Sequence, residues 1–484
     1  MNKYILALLF SLFVFNPSQS QTYTLNVING YGSGTYNAGE TIHVWSIAYD
    51  TTKTFKEWTG DIVNLTNPNE WHSKFIMPNR NASIQATLKL MPSYSVRYEN
   101  IMGSANMKKV YSCFPTQMRG VIYLFHGTGG SASNWLNALE NRSFVNALIA
   151  DSFGIIITEA EEITLNTDLN GDGKLRWQIL PFDSVSGIDY QNIKIITDTF
   201  IRRGSIDYAI PKFSVGMSNG GSYSAFISLL YNYKAGISYC ASSSAQLVFT
   251  SRNNPFAFRM ALYDDNAEVG PLGNYQALQF DSILDFRGIC HDYEIQDRQP
   301  IYAERFVRVP GVSLSTSQSI FTELLNNGQL DSAHYALHSD SIKNHILATP
   351  VMYPTIIGLS TNKLVEALNQ ISASNAEHKF YSDYNYESMH FFKSLCATSV
   401  SINNQESAVT TLKLYPNPAF QEIQLELQEG IYDVFIVDIY GRLCLQIKDM
   451  NILQPIDISH LTAGHYYIKV KNAKQFYTTS FVIQ

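Results

Sequence analysis

Charge is scarce in this chain. Aspartate, glutamate, lysine and arginine make up 15% of its 484 residues, the net charge is −7, and no basic cluster occurs. The electrostatic footprint that nucleic acid or an anionic membrane would need is therefore missing. Cysteine is scarce too, with five residues at Cys113, Cys240, Cys290, Cys396 and Cys444. No C-x-x-C pair or histidine-rich spacing accompanies them, which argues against zinc. Five is too few for a dense disulfide framework but fits an oxidising compartment; four lie in the middle region and are available to pair, in a connectivity that spacing leaves open. Cys290-His291-Asp292 are adjacent, and neighbours cannot easily converge on one metal, so helix-end packing is expected of them. The apolar run from Tyr4 to Phe15 is too short for a comfortable membrane span.

What is present suits an exported globular protein. Lys3, that apolar run and Ser18-Gln19-Ser20 together read as a signal peptide over residues 1–20, with Gln21 beginning the mature chain and no membrane span after processing. The chain is 45% hydrophobic and 13% aromatic, which argues against disorder. Its length predicts about three domains.

Residues 22–91 alternate like strands, as in "TYTLNVIN", "TIHVWSIA" and "SIQATLKL", separated by glycine- and asparagine-rich turns. The pattern predicts a small antiparallel β domain, in which Trp58 and Trp71 are expected in the core rather than stacked on a sugar. With its "NAGE", "EWTGD" and "FIMPNRNASI" elements the segment resembles the internalin-type B-repeat family, whose members serve as spacers or adhesive units. At the other end, a polar linker, "SVSINNQESAVTT", precedes alternating strands that predict a β-sandwich over residues 412–484. "LYPNP", "DIYGR" and "LTAGHYYIKV" there resemble the C-terminal sorting domain of the type IX secretion system. That resemblance implies the type IX machinery as partner, and secretion to, or retention at, the outer surface of a Gram-negative cell.

Between these ends, residues 95–398 alternate short apolar runs ("GVIYLFHG", "FGIIITEA", "FSVGMS", "AGISYCAS", "FAFRMALYD") with helical patterns such as "NIKIITDTFIRRG". Buried strands alternating with helices predict an α/β domain built on a parallel sheet. Its third run enters Gly216-Met217-Ser218-Asn219-Gly220 and then a helix from about Ser222. This strand–turn–helix setting is the one a nucleophilic serine needs, because flanking glycines let strand and helix approach closely. Oxyanion donors are expected from the backbone N–H of Asn219 and, in His126-Gly127-Thr128-Gly129-Gly130, from that of Thr128 or Gly129. His126 itself is expected to be structural.

The HGTGG and GMSNGG pair resembles the α/β-hydrolase superfamily over about 300 residues, most closely secreted esterases of the polyhydroxybutyrate-depolymerase and feruloyl-esterase type. The resemblance implies the chain order Ser, acid, His. For the acid, the segment after "FAFRMALY" offers Asp265 first, then Asp264 and Glu268; the commonest family spacing, D-x-x-V, would fall on Asn266, a departure. For the base, His390 is favoured, following a strand-like run near the domain's end. His378 opens that run and is expected to pack, while His334, His338 and His345 are expected to be solvated. Residues 290–374 form a helical insertion, either a lid or an inert elaboration.

"DLNGDGKLRW" places Asp168, Asn170 and Asp172 at alternate positions before Gly173, like the first half of a calcium loop. Arg176 and Ile179 occupy the ninth and twelfth positions, so a complete EF-hand is excluded. A structural calcium there competes with a plain Asx-rich turn. No organic cofactor is required. The sequence thus predicts a secreted serine esterase, acting on an ester substrate that the resemblance extends to polymers. A serine peptidase of the same fold and a non-catalytic surface adhesin are its rivals.

Overall fold

The computed structural model describes residues 21–46, 53–244, 247–248, 254–396, 412–438, 443–472 and 476–484. Residues 1–20, expected to be a signal peptide, and the polar linker 399–411 lie outside the described residues. Two compact units divide the described residues, the first taking those up to Ser46 with Phe55–Leu88, the second Lys53, Thr54 and those from Lys89 to Gln484.

In the first unit, strands Gly34–Asn37, Thr22–Ile28, Ala82–Leu90 and Lys53–Gly60 form one sheet in that order, and Gly30–Tyr31, Thr41–Ser46 and His72–Ile76 form a second. Leu25, Val44, Phe75 and Ile84 fill its core around Trp58. Trp58 is fully buried and its indole N–H is donated to the Glu70 carbonyl at 2.9 Å; Trp71 is buried as well. One expectation needs correcting. The first and last long strands run parallel, with Leu25 opposite Ala82, so the module is not wholly antiparallel. Alternation reports which face is buried, and it is blind to strand direction.

The α/β domain carries eight strands: β1 (Arg97–Met102), β2 (Met107–Cys113), β3 (Gly120–Phe125), β4 (Phe153–Ile157), β5 (Lys212–Met217), β6 (Ala235–Tyr239), β7 (Phe256–Ala261) and β8 (His291–Gln296). They lie in the order β1-β2-β4-β3-β5-β6-β7-β8. β2 is antiparallel to both β1 and β4, and every other pairing is parallel. This is the α/β-hydrolase arrangement.

Every residue of β3, β4 and β7 is buried, which is why β3 and β4 read as unbroken apolar runs and β7 as one interrupted only by the buried Arg259, paired with Asp292. On β3, Ile122 and Leu124 face one core with Phe144 and Phe392. Val121, Tyr123 and Phe125 face the other, with Tyr190, Ile193 and Tyr223. Helices α1 (Leu139–Ala150) and α8 (Asn385–Ser394) thus cover one face, and α2 (Ile188–Arg202) and α3 (Asn219–Leu230) cover the other. Helix α4 (Gly270–Phe286) precedes β8. The insertion contributes α5 (Leu314–Asn326), α6 (Ser339–Ala348) and α7 (Thr361–Ser374), which share a core of Ile320, Leu324, Ile342, Ile346 and Ile371 with Leu139 of α1. A disulfide joins Cys290, at the start of β8, to Cys396 beyond α8.

The C-terminal segment forms two sheets. Lys413–Tyr415, Glu422–Glu426 and Ile456–Asp457 make one; Leu443–Asn451, Ile431–Asp438, Gly464–Lys471 and Phe476–Ile483 make the other. Ile423, Val434, Ile436, Ile468 and Phe481 are buried between them, as a sandwich requires.

Candidate active site

Ser218 stands between β5 and α3 with φ 57° and ψ −127°, a conformation a non-glycine residue holds only where its surroundings impose it. The glycines beside it explain how. A Cβ on Gly216 would lie 1.9 Å from the Gly220 carbonyl oxygen, and one on Gly220 would lie 2.4 Å from the carbonyls of Phe125 and His126. The turn is also pinned from below, where Ser218 N–H is donated to the Tyr239 carbonyl at 2.8 Å.

The HGTGG loop packs directly on this turn, since a Cβ on Gly127 would meet the Ser218 Cβ at 3.3 Å. The Gly129 N–H is committed to the Leu175 carbonyl at 2.8 Å. The N–H groups of Thr128 and Asn219 donate no hydrogen bond among the described residues, so these two remain available to an incoming oxygen. The Asn219 side chain accepts from Trp177 N–H at 2.8 Å, and the Trp177 indole donates to the His126 carbonyl at 3.0 Å, latching the serine turn to the loop. His126 is buried, donating from Nδ1 to the Gly127 carbonyl and accepting Ala160 N–H at Nε2. Burial holds its pKa down to about 4, which keeps it neutral and structural.

The imidazole that meets Ser218 and the carboxylate behind it are not the ones expected. His378 accepts the Ser218 hydroxyl at Nε2 across 2.9 Å and donates from Nδ1 to Asp264 Oδ2 across 2.7 Å. Asp264 is 1% exposed, and Asn266 N–H fixes its other oxygen at 3.0 Å. Asp265 points away, exposed, and pairs with His338 at 2.7 Å. His390 is exposed on α8 and stacks on Tyr386, one turn earlier. The run from His378 to Tyr384 is a loop between α7 and α8 rather than a strand. His378 is therefore carried at a loop, while His390 falls inside the last helix.

Glu268, the third acid candidate, pairs with Lys174 and with Arg176 at 3.1 Å. The Lys174 hydrogen bond, helped by the Arg176 charge, holds its carboxyl below the usual range. His345 bonds the Tyr353 hydroxyl and His334 meets the edge of Phe321, both away from Ser218. Ser218, Thr128, His378, Asn134, Glu268 and Glu366 line one cavity of about 570 Å³.

Asp168, Asn170 and Asp172 do share one loop. Asp168 accepts the N–H groups of Asn170, Gly171 and Gly173, which hold its carboxyl below the usual range. Asp172 meets the Arg176 guanidinium at 2.6 Å. Cys240, Asp264 and His378 are a metal-like grouping among the described residues, but they fit a metal poorly. Both His378 nitrogens are engaged, and burial, with the Asp264 charge, pushes the Cys240 thiol well up, away from the thiolate a metal needs. Cys290, His291 and Asp292 turn to three separate partners, Cys396, Asp281 and Arg259.

Comparisons with known proteins locate the two end domains. Residues 413–484 match the secretion system C-terminal sorting domain, and residues 23–92 match the divergent InlB B-repeat domain. The chain is thus addressed for export to the outer surface of a Gram-negative cell. No helix among the described residues is long and apolar enough to cross a membrane. No match was found among curated proteins. Among solved structures, the chain is similar to an acylaminoacyl peptidase of Pyrococcus horikoshii (12% identity, 56% of this chain and 50% of that one, TM-score 0.32). It is also similar to a ferulic acid esterase (10%, 43% and 91%, 0.32) and a dienelactone hydrolase of Anabaena variabilis (12%, 49% and 99%, 0.31). The chain spans half the length of the first of these.

Proposed function

We propose that this protein is an exported serine hydrolase that cleaves carboxylic esters through an acyl-enzyme. The observation that carries the reading is the hydrogen-bonded chain from Ser218 through His378 to the buried Asp264. Ser218 Oγ attacks the ester carbonyl while His378 Nε2 takes its proton; Asp264 keeps the imidazole oriented and stabilises the imidazolium that forms. The oxyanion is received by the N–H groups of Thr128 and Asn219, at the start of α3 where the helix dipole favours negative charge. Collapse of the tetrahedral intermediate expels the alcohol, which takes its proton from His378. Water then enters, gives a proton to His378, and attacks the acyl carbonyl. The second collapse releases the acid and returns the proton to Ser218.

The ester class, including its polymeric members, follows the resemblance of the HGTGG and GMSNGG segments. The test is labelling by a fluorophosphonate probe, expected in the wild type and lost in Ser218→Ala, with hydrolysis of p-nitrophenyl esters but not of peptide anilides. An anilide preference would make the protein a peptidase; an unlabelled wild type would leave an adhesin.

Calcium at Asp168, Asn170 and Asp172 belongs to the proposal as a structural ion with no step of its own. Those oxygens are hard ligands, and the Arg176 guanidinium already neutralises Asp172. A melting temperature that rises with calcium and falls with chelator supports it; an unchanged melt removes it.

A further inference from the structure

The segment that carries His378 is held on both sides by buried carboxylates, and each carboxylate is held in turn by the insertion. Upstream, Glu377 is 8% exposed. Its Oε1 accepts Ser339 N–H at 2.9 Å and the Asn375 amide at 3.2 Å, and its Oε2 accepts the Ser339 hydroxyl. Ser339 is the first residue of α6, so the carboxylate also faces the positive end of a ten-residue helix. Ser372, on α7, donates to the Ser339 hydroxyl at 3.0 Å.

Downstream, Ser382 donates its N–H and its hydroxyl to Glu140 Oε2 at 3.1 and 2.5 Å. Glu140 is gripped by both Arg308 terminal nitrogens, at 2.6 and 3.2 Å, and by the Gln370 amide at 2.8 Å. Burial opposes its ionisation, but the Arg308 and Arg305 charges carry its carboxyl below the usual range. The next residue, Asp383, accepts the Gln299 amide at 2.8 Å. Arg308, Gln299, Gln370, Ser339 and Ser372 all belong to the insertion.

We infer that the insertion is the fixed anchor of the catalytic base, with Ser339 and Arg308 as positioning residues for His378, and not a lid. This rests on the hydrolase reading above. A lid must leave the cavity cheaply. Lifting this insertion would take both Ser339 donors from Glu377 and the Arg308 and Gln370 donors from Glu140, and a buried carboxylate that loses its cation or its charge-assisted hydrogen bonds is left at a large desolvation cost. The two grips lie one residue before His378 and four after it, so a slack grip moves the imbalance directly to the Nε2–Oγ hydrogen bond. A displacement on the order of 1 Å there costs up to a hundredfold in rate.

Two measurements test this, one on exchange and one on turnover. In wild-type protein, amide hydrogen exchange over 376–384 is expected to be as slow as in β5. In Ser339→Ala it should accelerate, with kcat toward a p-nitrophenyl ester falling about tenfold or more while KM stays within about twofold; Ser339→Thr, which keeps the hydroxyl, should restore both. Fast exchange in the wild type, or a change in KM with kcat intact, would make the insertion a lid and overturn the inference. Should Ser339→Ala not fold, the wild-type exchange pattern decides alone. Absence of fluorophosphonate labelling in the wild type would instead sink the hydrolase reading, and slow exchange could still be read independently of it.

Discussion

Asp264 reaches His378 across 114 residues of chain and 2.7 Å of space, while its neighbour Asp265 is bonded to His338 in solvent. Adjacent carboxylates thus occupy opposite environments, and of the two it is Asp264 that bonds the imidazole touching Ser218. Asp264→Asn should lower kcat by about 10⁴-fold with the fold intact; Asp265→Asn should change it by less than about twofold. Steady-state kinetics on the two purified variants check this.

The histidines make a parallel comparison. His378→Ala should abolish both ester turnover and fluorophosphonate labelling, because it removes the imidazole that, among the described residues, bonds the Ser218 hydroxyl and can take its proton. His390→Ala removes an exposed ring stacked on Tyr386 and should leave both within about twofold. Labelling of equal amounts of each variant, read on a gel, separates them.

His126 makes stability depend on pH. Its folded pKa, about 4, lies below the ordinary histidine value of 6.5. A depressed folded pKa means the unfolded chain takes up the proton first as pH falls. Its contribution is complete above 6.5 and is lost between 6.5 and 4, amounting to about 3 kcal/mol. His126→Gln keeps an acceptor for Ala160 N–H without titrating. The melting temperature of the wild type, minus that of this variant, should therefore fall across that window.

Gly216 has no room for a side chain, its Cβ position lying 1.9 Å from the Gly220 carbonyl oxygen and 2.6 Å from Gly221 N. Gly216→Ala must displace backbone at the serine turn. The expected outcome is a melting temperature lowered by several degrees, or no soluble protein, and loss of labelling in whatever folds. Circular dichroism melts and the same probe gel read both.

Which parts of this architecture the sequence announces follows from what each signal measures. Ser218 stands out because a nucleophile turn is a local object: strand, glycines and helix lie within about a dozen consecutive residues. The eight-stranded sheet is legible for the same reason, its central strands being buried on both faces and so unbroken in apolar character. The B-repeat and sorting segments carry their own turn and strand patterns. His378 was missed because the aromatic alternation from His378 to Tyr384 imitates a strand. That segment joins no sheet; its aromatics are buried instead against β6 and β7, as where Phe380 meets Tyr239 at 4.2 Å and the Tyr381 hydroxyl bonds the Met260 carbonyl. The choice between Asp264 and Asp265 depends on how the chain turns after β7, where Asp264 N–H bonds the Ala261 carbonyl, and composition does not encode that turn. A histidine on the loop just before the last helix, rather than inside it, was the signal available.

The bond between Cys290 and Cys396 closes a covalent ring of chain around the whole insertion, with His378 inside it and Ser218 and Asp264 outside. For a protein delivered outside the cell, where peptidases are common, this matters more than any gain in melting temperature. A single cut in any surface turn between those cysteines leaves two pieces still tied together, and the imidazole stays tethered beside its serine. The nicked molecule would run as one species until reduced. Damage at the exposed helices is thereby uncoupled from loss of the histidine.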